Sequence, residues 1–195
     1  MIIGRKPLSW QNDRMRIYLA GPEVFLPDPL AAGAAKKAIC AKHGMVGVFP
    51  LDAPAPMPSG PPDWRRIHAA NEAHIQGCDV LVANLTPFRG LAADPGTVFE
   101  LGYMRGLGRP VFGYTHAPHD YRTRVGEARH DGAAWRDAEG LEVEDFGLAE
   151  NLMLEGAIAA SGGMLLRAED GLGWQDLTLF EACVKAVRRK LVGGL

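Results

Sequence analysis

The segment from residue 83 to residue 102 holds the side chains with the clearest potential for chemistry. An apolar run, predicted to be a buried strand, leads into a polar loop and then into a predicted helix. Asp94 precedes this helix, Gly96 gives the backbone room, and Glu100 lies inside the helix among apolar neighbours. Placing a carboxylate in apolar surroundings costs free energy, so a functional role could explain its presence there. The positive end of a helix helps to hold such a carboxylate ionised. Such a carboxylate could stabilise and capture an electron-poor carbon.

Each of these acidic residues also has a simpler structural interpretation. Glu100 could be a glutamate on the solvent side of its helix, although no Lys or Arg stands at 96, 97, 103 or 104 to pair with it. Asp94 could be only the N-cap of the helix, because an Asp side chain accepts hydrogen bonds from the free N–H groups of the first turn. Capping and proton handling are compatible, so both interpretations of Asp94 remain open.

Apolar runs and capping residues predict the elements that must position these side chains. The predicted strands are 15–20, 45–51, 79–85, 109–114 and 164–167, and the predicted helices are 28–43, 63–76, 96–107, 148–160 and 176–192. Their alternation predicts an α/β fold: a doubly wound, flavodoxin- or Rossmann-like, mainly parallel five-stranded sheet with helices on both faces. Open parallel sheets bind ligands beyond the carboxyl ends of their strands. The informative residues are therefore expected at 18–28, 50–63, 85–100 and 114–120.

Three further segments complete the predicted organisation. Residues 1–14 are expected to form an N-terminal tail, and residues 15–195 a single domain. Five prolines between residues 52 and 62 predict a loop long enough to be a binding loop or lid. Residues 115–147 are polar and rich in Gly, Asp and Arg, which indicates an insertion, expected to be partly mobile.

The composition excludes several function classes. With a formal net charge of −2 over 195 residues, the chain has no broad basic field to hold nucleic acid. No apolar run approaches the ~18 residues of a membrane span, and the residues before Arg14 do not form a secretory signal. A reducing cytoplasm is the expected location, with three separated cysteines as buried thiols. No histidine or cysteine spacing suggests a metal site, so neither a metal nor another cofactor is expected.

Four separated segments, in the right order, resemble the nucleoside 2-deoxyribosyltransferase family. The first is IYLAGP at 17–22, and the second is Asn71 in the helix that precedes the strand starting at Asp79. The third is the loop and helix at 94–102, with Asp, Gly and Glu at the family's spacing and Leu-Gly after the Glu. The fourth is FGL at 146–148 followed by NLM at 151–153. One short Asp-to-Glu spacing would be weak, but four matches covering roughly residues 15–155 are strong.

The resemblance implies a reaction and a role for each matching residue. Glu100 would be the nucleophile, Asp94 would recognise the base and handle its proton, and Tyr18 would hydrogen-bond Glu100. The protein would transfer the 2-deoxyribosyl group between nucleobases by a retaining double displacement through a covalent glutamyl intermediate, as a cytoplasmic enzyme of nucleoside salvage. The residues expected at the substrate are Asn71, Gly21, Pro22, Phe88, Arg89, Gly96, Asn151 and Met153.

Some of these positions carry their own qualifications. Several family members have an Asp where this chain has Asn71; asparagine can bond a sugar hydroxyl but cannot act as a base. Phe88 and Arg89 could contact the base or simply close the pocket. Asn151 and Met153 match residues that complete a neighbouring subunit's site, which implies a homo-oligomer, a dimer or larger. The expected partners are deoxyribonucleosides and free nucleobases, and neither nucleic acid nor a membrane.

Two other function classes stay open on the sequence alone. An N-glycoside hydrolase of the same fold would use water as acceptor and act on nucleosides or their monophosphates. The loop GPEVFLPD at 21–28 is acidic and apolar, which disfavours a phosphate. A non-catalytic nucleotide-binding module would have the same layer order. A dinucleotide dehydrogenase is poorly supported, because no G-x-G-x-x-G turn follows the first strand.

Overall fold

The computed structural model of the chain describes residues 14–52 and 63–193. Its main helices are α1 (Pro29–Lys42), α2 (Trp64–Gln76), α3 (Pro95–Gly106), α4 (Tyr121–Arg124), α5 (Leu152–Ala160) and α6 (Thr178–Val187). Its strands are β1 (Arg16–Ala20), β2 (Val46–Val48), β3 (Val80–Asn84), β4 (Val111–Thr115), β5 (Arg129–His130), β6 (Trp135–Arg136), β7 (Glu142–Val143) and β8 (Leu165–Arg167). A short 3-10 helix, Pro22–Phe25, follows β1, and a π-helical segment, Arg188–Gly193, follows α6. The expected tail and almost all of the proline-rich loop lie outside the described residues.

Five strands form one parallel sheet in the order β2-β1-β3-β4-β8. The chain moves outward from β1 to β2 and, after returning to β3, outward in the opposite direction through β4 to β8. This is a doubly wound sheet, so the predicted fold class is confirmed, and each predicted strand matches an observed one within a few residues. The strand order reverses between β1 and β3, where such sheets place their ligand.

Helices cover both faces of the sheet and create two separate cores. Residues of β3 alternate between them: Val82 belongs to a core shared with α1 and α6, whereas Leu81 belongs to a core shared with α2, α3 and α5. Burial on both faces is the reason that the central strands are continuous apolar runs in the sequence. The two cores therefore fix the positions of β1 and β3, and the candidate site lies near the carboxyl ends of these strands.

The insertion between β4 and α5 is more regular than the sequence indicates. It contains the four-residue helix α4 and an antiparallel sheet of order β5-β6-β7. These strands have two residues each, too short to produce an alternating pattern of apolar and polar residues. The helix predicted from residue 148 begins only at Leu152, because Asn151 is its N-cap and accepts a 3.0 Å hydrogen bond from Met153 N.

The structure also bears on the sequence predictions about the cysteines and about membrane-spanning helices. Cys40, Cys78 and Cys183 are free and buried, so their prediction as buried thiols is confirmed. Within the described ranges, no helix is long and apolar enough to cross a membrane.

Candidate active site

The candidate site begins with a hydrogen bond between a strand and a helix. Tyr18, the central residue of β1, is fully buried, and its phenol donates to Glu100 Oε1 over 2.6 Å. Glu100 lies in the second turn of α3 and turns toward the sheet, so the interpretation of Glu100 as a solvent-facing glutamate is wrong. The hydrogen bond that the family resemblance implies for these two residues is present.

The surroundings of Glu100 control its ionisation. Burial raises the pKa of Glu100 to about 7, and the nearby Asp94 carboxylate acts in the same direction. The hydrogen bond from Tyr18 acts against this rise, because it stabilises the charged form. A carboxylate with a pKa near neutrality is partly ionised at the pH of a cell, and it is poorly solvated. Both properties suit a nucleophile.

Asp94 is the N-cap of α3. Its Oδ2 accepts hydrogen bonds from Thr97 N over 2.9 Å and from Thr97 Oγ1 over 3.0 Å. A Cβ at Gly96 would lie 3.0 Å from the same Oδ2, a distance at which Asp94 would have to shift. The glycine therefore leaves space for this carboxylate. Capping engages only one carboxylate oxygen and leaves room for the second role considered for Asp94.

Asn71 has a side-chain oxygen that the described residues leave without a hydrogen-bond donor. This Oδ1 is buried, and no group in residues 14–52 or 63–193 donates to it. Asn71 lies on α2 one turn before Ile75, which is buried in the core that also contains Tyr18 and Leu101. Buried acceptors are normally satisfied, so this oxygen fits a hydroxyl donor supplied by a ligand.

Gly21 and Pro22 form the first turn after β1, and their geometry depends on the next residue, Glu23. A Cβ at Gly21 would lie 2.0 Å from Glu23 Oε2, so only glycine fits there. Glu23 is 2% exposed and points into the core, where Lys36, Asn84 (2.7 Å) and Tyr114 (3.0 Å) donate hydrogen bonds to its Oε1. Its charge is therefore turned away from solvent. The negative charge of Glu23 therefore gives little reason to expect that the loop would repel a phosphate.

Glu23 and Asn84 are residues that the sequence analysis did not select. Burial acts to raise the pKa of Glu23, but Lys36 and Asn84 outweigh it and hold that pKa below its usual range. Asn84 also accepts hydrogen bonds from Thr86 N and Thr86 Oγ1 over 3.0 and 2.6 Å. This network ties the loop after β1 to the loop after β3. Asn84 could have been selected from the sequence, because it is a polar residue at the end of the apolar run that forms β3.

Phe88 and Arg89 meet an aromatic residue of the other loop. The Phe88 ring stacks on Phe25 with centroids 5.3 Å apart, and Trp174 meets Phe88 edge-on at 6.1 Å. The Arg89 guanidinium lies 5.0 Å from the Phe25 centroid and 4.7 Å from that of Phe88. The cluster joins the loops after β1 and β3 beside the switch point. Phe25 is half-exposed, so a planar group of a ligand could reach it.

Asn151 and Met153 are not joined to Glu100 within the protomer. Asn151 caps α5 and donates a 2.7 Å hydrogen bond to Glu144 Oε1. Met153 is 69% exposed. In residues 14–52 and 63–193, no hydrogen bond or ion pair connects either residue with the carboxylates of Glu100 or Asp94. The candidate site thus contains Tyr18, Asp94 and Glu100 with their supporting loops, without Asn151 or Met153.

In the described part of the chain, no group of three or more His, Cys, Asp or Glu side chains could hold a metal ion. The candidate site offers a carboxylate with a raised pKa, a phenol that hydrogen-bonds it and a second carboxylate nearby. Such a set can capture an electron-poor carbon and move a proton.

Comparisons with known proteins found similar sequences and similar folds. A sequence profile described as nucleoside 2-deoxyribosyltransferase matches residues 17–153. A solved 2-desoxiribosyltransferase from Leishmania mexicana is 30% identical, with a TM-score of 0.64, and the match covers 91% of this chain and 99% of that chain. A conserved protein from Enterococcus faecalis V583 shares the fold, with a TM-score of 0.56, 22% identity, and coverage of 92% of this chain and 100% of that chain. An uncharacterised protein of Schizosaccharomyces pombe is 33% identical over a 169-residue alignment that covers 76% of this chain and 79% of the relative.

Proposed function

The chain belongs to the nucleoside 2-deoxyribosyltransferase family, and we propose that it exchanges the base of 2′-deoxyribonucleosides through a covalent intermediate on Glu100. The observation that carries this proposal is the part-buried Glu100 carboxylate, which accepts a 2.6 Å hydrogen bond from Tyr18. Burial raises the pKa of Glu100 to about 7, because it reduces the hydration of the charged form. A poorly hydrated carboxylate is well suited to stabilise an oxocarbenium-like transition state.

The reaction has two displacements at the anomeric carbon. In the first, a Glu100 oxygen forms a bond to C1′ while the C1′–N bond breaks and its electron pair leaves with the base. In the second, a ring nitrogen of the incoming base attacks C1′ from the face that the first base left, and the Glu100 carboxylate departs. Two inversions give net retention. Tyr18 keeps its hydrogen bond to the carboxylate and orients the attacking oxygen.

The leaving base takes up a proton, and the incoming base loses one. We assign both transfers to Asp94, which has one oxygen outside the capping interaction with Thr97. The same group can donate in the first half-reaction and accept in the second, as microscopic reversibility requires. Asn71 would bind a hydroxyl of the sugar through its unpartnered Oδ1. Phe88 and Arg89, together with Gly21, Pro22 and Gly96, would shape the pocket around the base.

We further propose that the enzyme is a homo-oligomer in which Asn151 and Met153 complete the site of a neighbouring copy. The exposed apolar side chains on α2, α3 and α5 support this assembly: Phe99 is 52% exposed and Met153 is 69% exposed, and Trp64 and Ile67 are also exposed. Large exposed apolar side chains on neighbouring elements are typical of an interface. Under this proposal the substrates are deoxyribonucleosides and free nucleobases, used in salvage.

The decisive experiment supplies a nucleoside with and without an acceptor base. The protein is incubated with deoxyinosine alone or with adenine, and products are separated by chromatography. Deoxyadenosine and hypoxanthine formed only with adenine support the transferase. Free hypoxanthine and deoxyribose formed equally without adenine would assign an N-glycoside hydrolase. Binding of nucleoside without turnover would assign a non-catalytic module. The Glu100→Gln variant is the control for activity from contaminating enzymes.

A further inference from the structure

A buried ion pair lies behind the loop that carries Asp94. Arg124, in α4, donates a 2.7 Å hydrogen bond from Nη2 to Glu150 Oε1. The side chain of Arg124 is 10% exposed and that of Glu150 is fully buried. Taking two charges out of water is costly, so such a pair adds little net stability by itself. Neither residue is used by the mechanism above.

Arg124 holds the backbone of the loop that leads to Asp94. Its Nε donates to Leu91 O over 3.0 Å, and its Nη1 donates to His119 O over 2.9 Å. Glu150 in turn fixes the guanidinium through the hydrogen bond from Nη2. The pair therefore ties the loop at Leu91, three residues before Asp94.

We propose that Arg124 and Glu150 are positioning residues that hold the Asp94 carboxylate at the distance at which it exchanges a proton with the nucleobase. This inference rests on the proposed function. The hydrogen bonds and ion pairs of Arg124 and Glu150, within the part of the chain that the structure describes, do not reach the side chains of Asp94 or Glu100. Both residues therefore act through the loop backbone and do not touch the substrate.

The chemistry of proton transfer makes the effect selective. Transfer requires the donor and the acceptor within hydrogen-bond reach, and a misplacement of ~1 Å can cost on the order of 10²-fold in rate. Attack by Glu100 depends instead on β1 and α3, which the pair does not hold. Loosening the loop should therefore slow the steps that move a proton to or from the base, and leave the capture of deoxyribose by Glu100 nearly unchanged.

The test compares two donors in Arg124→Gln. With deoxyinosine and adenine, kcat should fall roughly 10- to 100-fold. With p-nitrophenyl 2-deoxyriboside, whose leaving group needs no proton, the burst of nitrophenol that reports adduct formation on Glu100 should stay within about threefold of wild type. The matched control is Arg122→Gln on the same short helix, because Arg122 packs on Trp135 and pairs with Asp145 and does not hold the loop. This control should retain wild-type exchange.

A second comparison tests whether the effect passes through Asp94. Adding Arg124→Gln to Asp94→Asn should cause no further loss of exchange, whereas two independent effects would multiply. If Arg124→Gln lowers the yield of folded protein, Glu150→Gln replaces it in the same test. Glu150→Gln keeps the shape of the side chain and removes its charge. Melting temperature is recorded for every variant.

The outcomes separate this inference from the proposed function. A selective loss with deoxyinosine, absent in the Asp94→Asn background, supports the positioning role. Equal losses with both donors, multiplied effects in the double variant, or unchanged exchange in Arg124→Gln and Glu150→Gln would overturn it while the transferase assignment stands. Failure of the wild-type protein to exchange bases would overturn the proposed function and this role together.

Discussion

The phenol oxygen of Tyr18 lies 2.6 Å from Oε1 of Glu100, although 82 positions separate the two residues in the chain. The fold brings the middle of β1 next to the second turn of α3, and the Tyr18 side chain lies in the core between them. Among the described residues, the Tyr18 hydrogen bond opposes the effect of burial on the charge of Glu100. Its ionisation, and with it the pH dependence of catalysis, follows from this balance.

Tyr18→Phe should shift the pH profile of exchange toward higher pH. The Tyr18 hydrogen bond lowers the pKa of Glu100 from what burial alone would give, so its loss raises that pKa above about 7. Because the nucleophile must be ionised, the rising limb of the plot of kcat/KM against pH shifts to higher pH. The variant should lose roughly tenfold in kcat/KM at pH 6 and less at pH 8.5. Tyr103→Phe is the control, because the Tyr103 hydroxyl on the same helix accepts a hydrogen bond from Gln76. An unshifted limb would contradict the coupling.

Glu100→Gln should abolish exchange and stabilise the fold increasingly as the pH rises from about 4.5 to about 7. The pKa of Glu100 rises from an ordinary value of 4.5 to about 7 in the folded protein. A raised carboxyl pKa stabilises the fold below pH ~4.5, and that contribution is lost as the pH rises toward about 7. At pH 8 the variant avoids a buried charge, worth on the order of 2–3 kcal/mol or several degrees in Tm. At pH 5 only a small part of this difference should be present.

The stability prediction has its own control. Glu169→Gln replaces an exposed glutamate and should change Tm by the same small amount at both pH values. A gain in Tm for Glu100→Gln that is equal at pH 5 and pH 8 would show that Glu100 does not carry a buried charge, and the explanation of its pH dependence would fail.

Local patterns were sufficient to predict the main sheet. β3 is an apolar run because both of its faces are covered, and Asp28, Asp63 and Asp94 cap α1, α2 and α3 as their positions before each helix indicated. Caps and continuous apolar strands are encoded by residues close together in the chain. The resemblance then directed attention to Tyr18 and Glu100, whose contact no local pattern could reveal.

The pairing of buried polar side chains could not be predicted from the sequence. Glu23 reads as part of an acidic loop, but it is paired in the core with Lys36, whose position in α1 predicts only a helix face. Arg124 and Glu150 lie 26 positions apart on either side of the small sheet. Such pairs depend on how elements pack, so neither charge pattern nor periodicity shows them. The same holds for the two-residue strands between them.

Gly96→Ala should make the protein more stable and the enzyme slower. Alanine favours a helix over glycine by roughly 0.4–1 kcal/mol. Its Cβ would nevertheless lie 3.0 Å from Asp94 Oδ2 and displace that carboxylate. We expect exchange to fall about tenfold or more while Tm rises or stays constant. Gly106→Ala, at the end of the same helix with open space around it, should give the stability change without the loss. Unchanged activity in Gly96→Ala would contradict the positioning of Asp94.

Asp94→Asn should separate proton transfer from capping. Asparagine caps about as well as aspartate, and its Oδ1 can accept both hydrogen bonds from Thr97, so Tm should change little. Loss of the proton carrier should lower turnover with natural nucleosides by roughly 10²–10⁴-fold. Asp28→Asn makes the same substitution at the N-cap of α1 and should leave exchange unchanged. Near-wild-type turnover in a folded Asp94→Asn variant would leave Asp94 with capping alone.

Mixing two inactive variants tests whether neighbouring copies share their sites. Glu100→Gln removes the nucleophile, and Asn151→Ser removes the contributed amide while serine still caps α5. Each variant alone should have little activity. In a hybrid dimer, the site with an intact Glu100 receives an intact Asn151 from the other chain, so one site in two recovers.

An equal mixture refolded or exchanged together should therefore regain about a quarter of wild-type turnover, since about half of the dimers are hybrid. Met153→Asp should weaken the assembly in sedimentation because Met153 is 69% exposed on the proposed contact face. Leu141→Asp, at an equally exposed apolar position on the small sheet, is the control. Absence of recovery in mixtures that demonstrably exchange chains would place Asn151 in the site of its own protomer, and an active wild-type monomer would exclude the shared site.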